Sequence, residues 1–69
     1  MKSLQKALDI LELFLGDEGE ISLSDLSKSS GLNKSTVNRI ALTLVKRGYL
    51  KQENRRGKYS LGIKFLDFI

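Results

Sequence analysis

The sequence predicts a mainly α domain carrying one small β-hairpin. Three features lead there: apolar residues recurring at three- and four-residue intervals in three stretches, a glycine just past each stretch, and two strand-length runs flanking an Asn-Arg-Arg-Gly turn. With 69 residues and no Cys, the chain is one small domain that folds without a disulfide or a zinc knuckle.

Leu4, Ala7, Leu8, Leu11, Phe14 and Leu15 predict an amphipathic helix from 3 to 16, with Ser3 as N-cap and Gly16 as its stop. With Leu11 as zero, these six form the expected core face. Ile10 and Leu13 fall at about 260° and 200°, on the outer side, as a small self-association surface. An acidic Gly16-Asp17-Glu18-Gly19 turn leads to Glu20-Ile21-Ser22, too short for more than a bridging strand. Ser22 or Ser24 then caps a second, short helix, for Ser22-x-x-Asp25 resembles a capping box. It carries Leu23 and Leu26 and stops at Ser29-Ser30-Gly31.

Asn33 is the expected N-cap of a third helix, in which Val37, Ile40, Ala41 and Leu44 form the buried stripe and Gly48 marks the end. Tyr49 to Glu53 and Lys58 to Leu61 are the hairpin strands, and their tyrosines are expected to be structural. Ile63, Phe65, Leu66, Phe68 and Ile69 begin another helix. Residues 1–62 are thus expected to be the domain, and 63–69 the start of a linker helix to a C-terminal region, since an apolar Phe68-Ile69 end needs cover.

Composition excludes much of enzymology. Without His or Cys the usual general base, thiol nucleophile and transition-metal ligands are missing, and the eight carboxylates are scattered. No catalytic role, cofactor or metal is expected. No run approaches a membrane span and no signal-peptide pattern opens the chain, so a cytoplasmic protein is expected. The net charge of +4 is unevenly spread. Residues 1–25 hold two cations against six carboxylates, while residues 26–69 hold ten cations against Glu53 and Asp67. A polyanion is the partner this distribution suits.

Helix, short helix, tight turn, helix and basic hairpin is the order of a winged helix-turn-helix. Such a fold lays one helix in the major groove, so the exposed face of the third helix decides the function. With Val37 as zero, Ser35, Arg39, Lys46 and Thr43 fall at about 160°, 200°, 180° and 240°, opposite the buried stripe. Lys34, Ser35, Thr36 and Asn38 occupy the first turns, where the helix amides attract phosphate. Arg39 is the strongest base-reading candidate. Lys46 and Arg47 complement the dipole of the last turn and need no ligand. Arg55 and Arg56 at the hairpin tip, with Lys58 beyond them, suit phosphate or a minor groove. The candidate DNA-binding set is therefore Lys34, Ser35, Thr36, Asn38, Arg39, Thr43, Arg55, Arg56 and Lys58. The expected function is sequence-specific binding of double-stranded DNA. A winged-helix protein-interaction module is the alternative.

The sequence also resembles the N-terminal DNA-binding domain of the isocitrate lyase regulator (IclR) family of transcription factors. The resemblance rests on Ser3-Leu4-x-x-Ala7-Leu8-x-Ile10-Leu11, Leu23-x-x-Leu26, Gly31-Leu32-Asn33-Lys34-Ser35-Thr36-Val37-x-Arg39-Ile40, Arg47-Gly48-Tyr49-Leu50 and Tyr59-Ser60-Leu61-Gly62. It departs at Asn33, where the family usually has Pro, and at Ala41, where it has Leu. The resemblance implies that Lys34, Ser35, Thr36, Asn38 and Arg39 meet DNA and that the hairpin touches the backbone. It further implies a C-terminal domain that binds a small effector and assembles dimers or higher oligomers.

Overall fold

The structure is a computed structural model and describes residues 2–16, 19–54 and 57–68. Its elements are α1 (Lys2–Glu12), a 3-10 turn (Leu13–Leu15), α2 (Leu23–Ser30), α3 (Lys34–Lys46), β1 (Leu50–Gln52), β2 (Tyr59–Leu61) and a closing 3-10 helix (Ile63–Phe68). This mainly α order with one hairpin is the expected winged helix-turn-helix. The last segment is helical, but of the tighter 3-10 kind.

Local chemistry sets the helix ends. Ser22 Oγ accepts the Asp25 amide at 3.1 Å, so Ser22 rather than Ser24 caps α2. Gly31 ends α2 at φ 77°, a left-handed conformation that needs no Cβ, and its N–H reaches Ser27 O. The serines of α2 do more than stop it: the Ser27 hydroxyl donates to Leu32 O, and Ser30 Oγ accepts the Leu32 amide. Both bonds hold the turn that aims α3. Asn33 Oδ1 caps α3 through the Thr36 amide at 2.8 Å.

The core joins Ile10, Phe14, Ile21, Leu26, Val37, Ala41, Leu50 and Tyr59, with Ile40 and Leu44 packed at its edge. The buried stripe of α3 therefore matches the expected one. The face of α1 does not. Ile10 is fully buried and Leu13 half-buried against the core, whereas Leu4, Leu8 and Leu15 are 55%, 47% and 78% exposed. Ile10 and Leu13 are thus no association surface, and Leu4, Leu8 and Leu15 are no core. Ser3 lies inside α1 rather than capping it. Two causes combine. Apolar residues cover most of the circumference of α1, so their spacing alone fits more than one buried face. After Glu12 the helix tightens to three residues per turn, and a wheel drawn at 100° per residue misplaces Leu13 to Leu15.

The hairpin is antiparallel, with Leu50 opposite Leu61, Lys51 opposite Ser60 and Gln52 opposite Tyr59. Ile21 joins it as a bridge, exchanging two 2.9 Å backbone bonds with Tyr59, as its short run suggested. The Gln52 amide donates to Gly57 O at 2.7 Å and ties the base of the loop. Tyr59 is buried, and Tyr49 meets the Phe65 ring edge-on at 5.7 Å, so both tyrosines are structural. Gly62 lets the strand end lie against the turn after α3: a Cβ there would stand 2.2 Å from Gly48 O.

Candidate nucleic-acid interface

Once Val37 and Ala41 are locked into the core, the rotation of α3 is fixed and its opposite face is exposed. Lys34, Ser35, Asn38, Arg39, Thr43 and Lys46 are all exposed, and Thr36 is half-buried. The predicted α3 residues thus share one helix, with Thr36 turned partly inward. Lys58 is exposed and sits apart from them on the hairpin. Arg55 and Arg56 lie outside the described residues.

The N-terminal turn has a defined hydrogen-bond polarity. Because the Thr36 N–H can only donate, the atom it meets on Asn33 is the carbonyl Oδ1. The Ser35 hydroxyl donates to the same Oδ1 at 2.9 Å. Its proton is therefore spent on the cap, and its lone pairs remain for a ligand. The Asn33 amide nitrogen is left as a donor beside them. Further along, Thr43 Oγ1 donates to Arg39 O at 3.2 Å, which binds its hydroxyl proton to the helix as well. Arg39 and Thr43, with Ile40 and Leu44, border a cleft of about 190 Å³ whose far wall is Ser3 and Ala7 of α1.

Leu42 is the residue that sequence reasoning missed. It is 45% exposed on the same face, among the polar side chains. Its helical angle, about 140° from Val37, already placed it there. An apolar side chain carries neither the charge nor the hydrogen-bonding groups by which a DNA-facing residue is legible in a sequence.

A helix-turn-helix with its second helix exposed along a basic, hydroxyl-bearing face and a hairpin beside it is the architecture of a DNA-binding domain. The profile of the IclR helix-turn-helix domain matches residues 3 to 54. The chain is 40% identical over 67 residues to the HTH-type transcriptional regulator XynR of Escherichia coli, covering 97% of this chain and 27% of that protein. It is 38% identical to the glycerol operon regulatory protein of Streptomyces coelicolor, over 96% of this chain and 26% of the other. The crystal structure of an IclR family transcriptional regulator from Brucella abortus superposes with a TM-score of 0.89 at 34% identity, covering 99% of this chain and 26% of that one. The chain belongs to the IclR helix-turn-helix family, whose role is DNA-binding transcriptional regulation. It spans about a quarter of the length of the relatives it matches.

Proposed function

We propose that this domain binds a specific duplex by placing α3 in the major groove, with the hairpin carrying Arg55, Arg56 and Lys58 against the phosphate backbone or the minor groove. The observation that carries this reading is the exposed face of α3, held outward by the burial of Val37 and Ala41. Lys34, Ser35, Asn38 and Arg39 are the contacts nearest the bases, and Thr36 acts mainly through the capped turn. Thr43 lies near the groove edge. No step in this function is catalytic. The domain works in the cytoplasm as part of a longer regulator, with effector binding and oligomer assembly in a further C-terminal domain. No helix among the described residues is long and apolar enough to cross a membrane.

The exposed stripe of α1 supports a contact between two copies of this domain. Leu4 and Leu8 of α1 lie exposed one turn apart, and Leu15 of the 3-10 turn that follows is exposed as well. Leu8, Leu11 and Leu15 border, with Leu61 and Phe65, an almost wholly apolar groove of about 300 Å³. Lys2 stands at one end of α1 and Glu12 at the other, so antiparallel packing about a two-fold brings opposite charges together.

The test is binding of the chain to genomic DNA fragments that contain the promoter beside its own coding region. Retention of one fragment over competitor DNA of equal length supports the reading. Uniform retention of all fragments rejects it.

A further inference from the structure

Leu42 is a misfit on its surface. Leu4, Leu8, Leu15, Leu61 and Ile63, the other large apolar side chains exposed among the described residues, belong to α1 and the 3-10 turn that follows it, the hairpin and the segment after the hairpin. Leu42 alone of them stands on α3, and it is absent from the residues packed against the core. It extends the row Lys34, Asn38, Leu42, whose four-residue spacing keeps one face of the helix. It lies one turn, about 6 Å, beyond Asn38. A lone exposed leucine is common in itself. Its place in the row that runs from the base-reading turn makes it informative.

We propose that Leu42 is a specificity-determining contact, laying its side chain against the 5-methyl group of a thymine in the major groove. The inference rests on the reading that α3 enters that groove. Among the base edges exposed there, the thymine methyl is the one alkyl group; the other groups that tell the bases apart are hydrogen-bond donors and acceptors, and cytosine carries only a C–H at the same position. A leucine in the same place would desolvate guanine O6 or cytosine N4 without offering a partner, which disfavours those bases. Asn38, one turn earlier in the row, has the side chain that pairs with adenine N6 and N7. The two residues together bias the half-site toward A·T pairs. This differs in kind from the contribution of Lys34 or Arg39, because methyl burial depends little on salt.

The experiment uses the 69-residue chain and a duplex recovered by repeated selection from a pool with 24 randomised base pairs. Each thymidine of that duplex is replaced in turn by deoxyuridine, which removes the methyl and leaves every hydrogen-bonding group. At one or two positions per half-site the substitution is expected to weaken binding about fourfold, the effect of one methyl withdrawn from an apolar contact. The loss should vanish in Leu42→Ala and persist in Leu42→Met. Leu42 is outside the core and alanine favours helix, so Leu42→Ala is expected to unfold at the same temperature as the parent chain. Two outcomes overturn the role of Leu42 while leaving DNA binding intact: a chain that prefers its selected duplex but ignores every deoxyuridine, and a loss that survives in Leu42→Ala. A chain that enriches no duplex from the pool rejects the parent reading, and the thymine contact with it.

Discussion

Asn33 shows how much one side chain does at the head of α3. Its Oδ1 holds the Thr36 amide and the Ser35 hydroxyl together. Asn33→Ala should therefore destabilise the domain by about 1 kcal/mol, while Asn33→Asp keeps the acceptor and should unfold near the parent temperature. Chemical denaturation of both variants checks this. Gly31 and Gly62 separate two reasons for glycine. At Gly31 nothing lies within 4 Å of an added Cβ, so Gly31→Ala meets only the strain of its positive φ, about 1 kcal/mol. At Gly62 the added atom collides with backbone of the turn after α3, and Gly62→Ala should cost about 2–3 kcal/mol. Arg39→Ala should lose about 1–3 kcal/mol on the specific duplex and little on random DNA. Equal losses on both make it a phosphate contact. The caps at Ser22 and Asn33 and the left-handed Gly31 were legible in the sequence because each depends on a few neighbouring residues. The partnership of Ser35 with Asn33 and the close approach at Gly62 were not, since they depend on rotamers and on chain segments distant in sequence.

At the level of elements, α3 was readable and α1 was not, for one physical reason. Apart from Leu42, the apolar residues of α3 form a single stripe with polar residues opposite, so only one rotation buries them. In α1 and the turn after it they cover more than half of the circumference, and the choice between Ile10 and the Leu4-Leu8-Leu15 side is made by packing against α2 and α3. That packing leaves the leucine stripe outward. Replacing Leu8 and Leu15 by Glu should spare the fold, because neither is buried, and should abolish any concentration dependence in sedimentation. The parent chain should be mainly monomeric at micromolar concentration, since a few apolar side chains scarcely offset the entropy of association. The hairpin acts on affinity. Changing Arg55 and Arg56 to Ala should weaken binding to all duplexes and flatten the slope of log K against log salt by up to about 2, at ~0.9 per phosphate contact. An unchanged slope removes the hairpin from the interface.

For the whole molecule, two domains held together turn the second half-site contact into an intramolecular step, raising avidity by roughly 10²–10⁴ where the geometry fits. Half-sites about 10 bp apart centre to centre, or a multiple of that, should bind the full-length regulator best, and a 5 bp insertion should weaken the complex. Gel shifts on the two operators check this. The placement of α3 in the major groove can be read by dimethyl sulfate footprinting of the bound duplex, because the reagent methylates guanine N7 in the major groove and adenine N3 in the minor groove. Guanine N7 should be protected within each half-site and exposed again in Arg39→Ala, with any adenine N3 protection confined to the flank reached by the hairpin. Specific binding that leaves every guanine N7 reactive would contradict that placement.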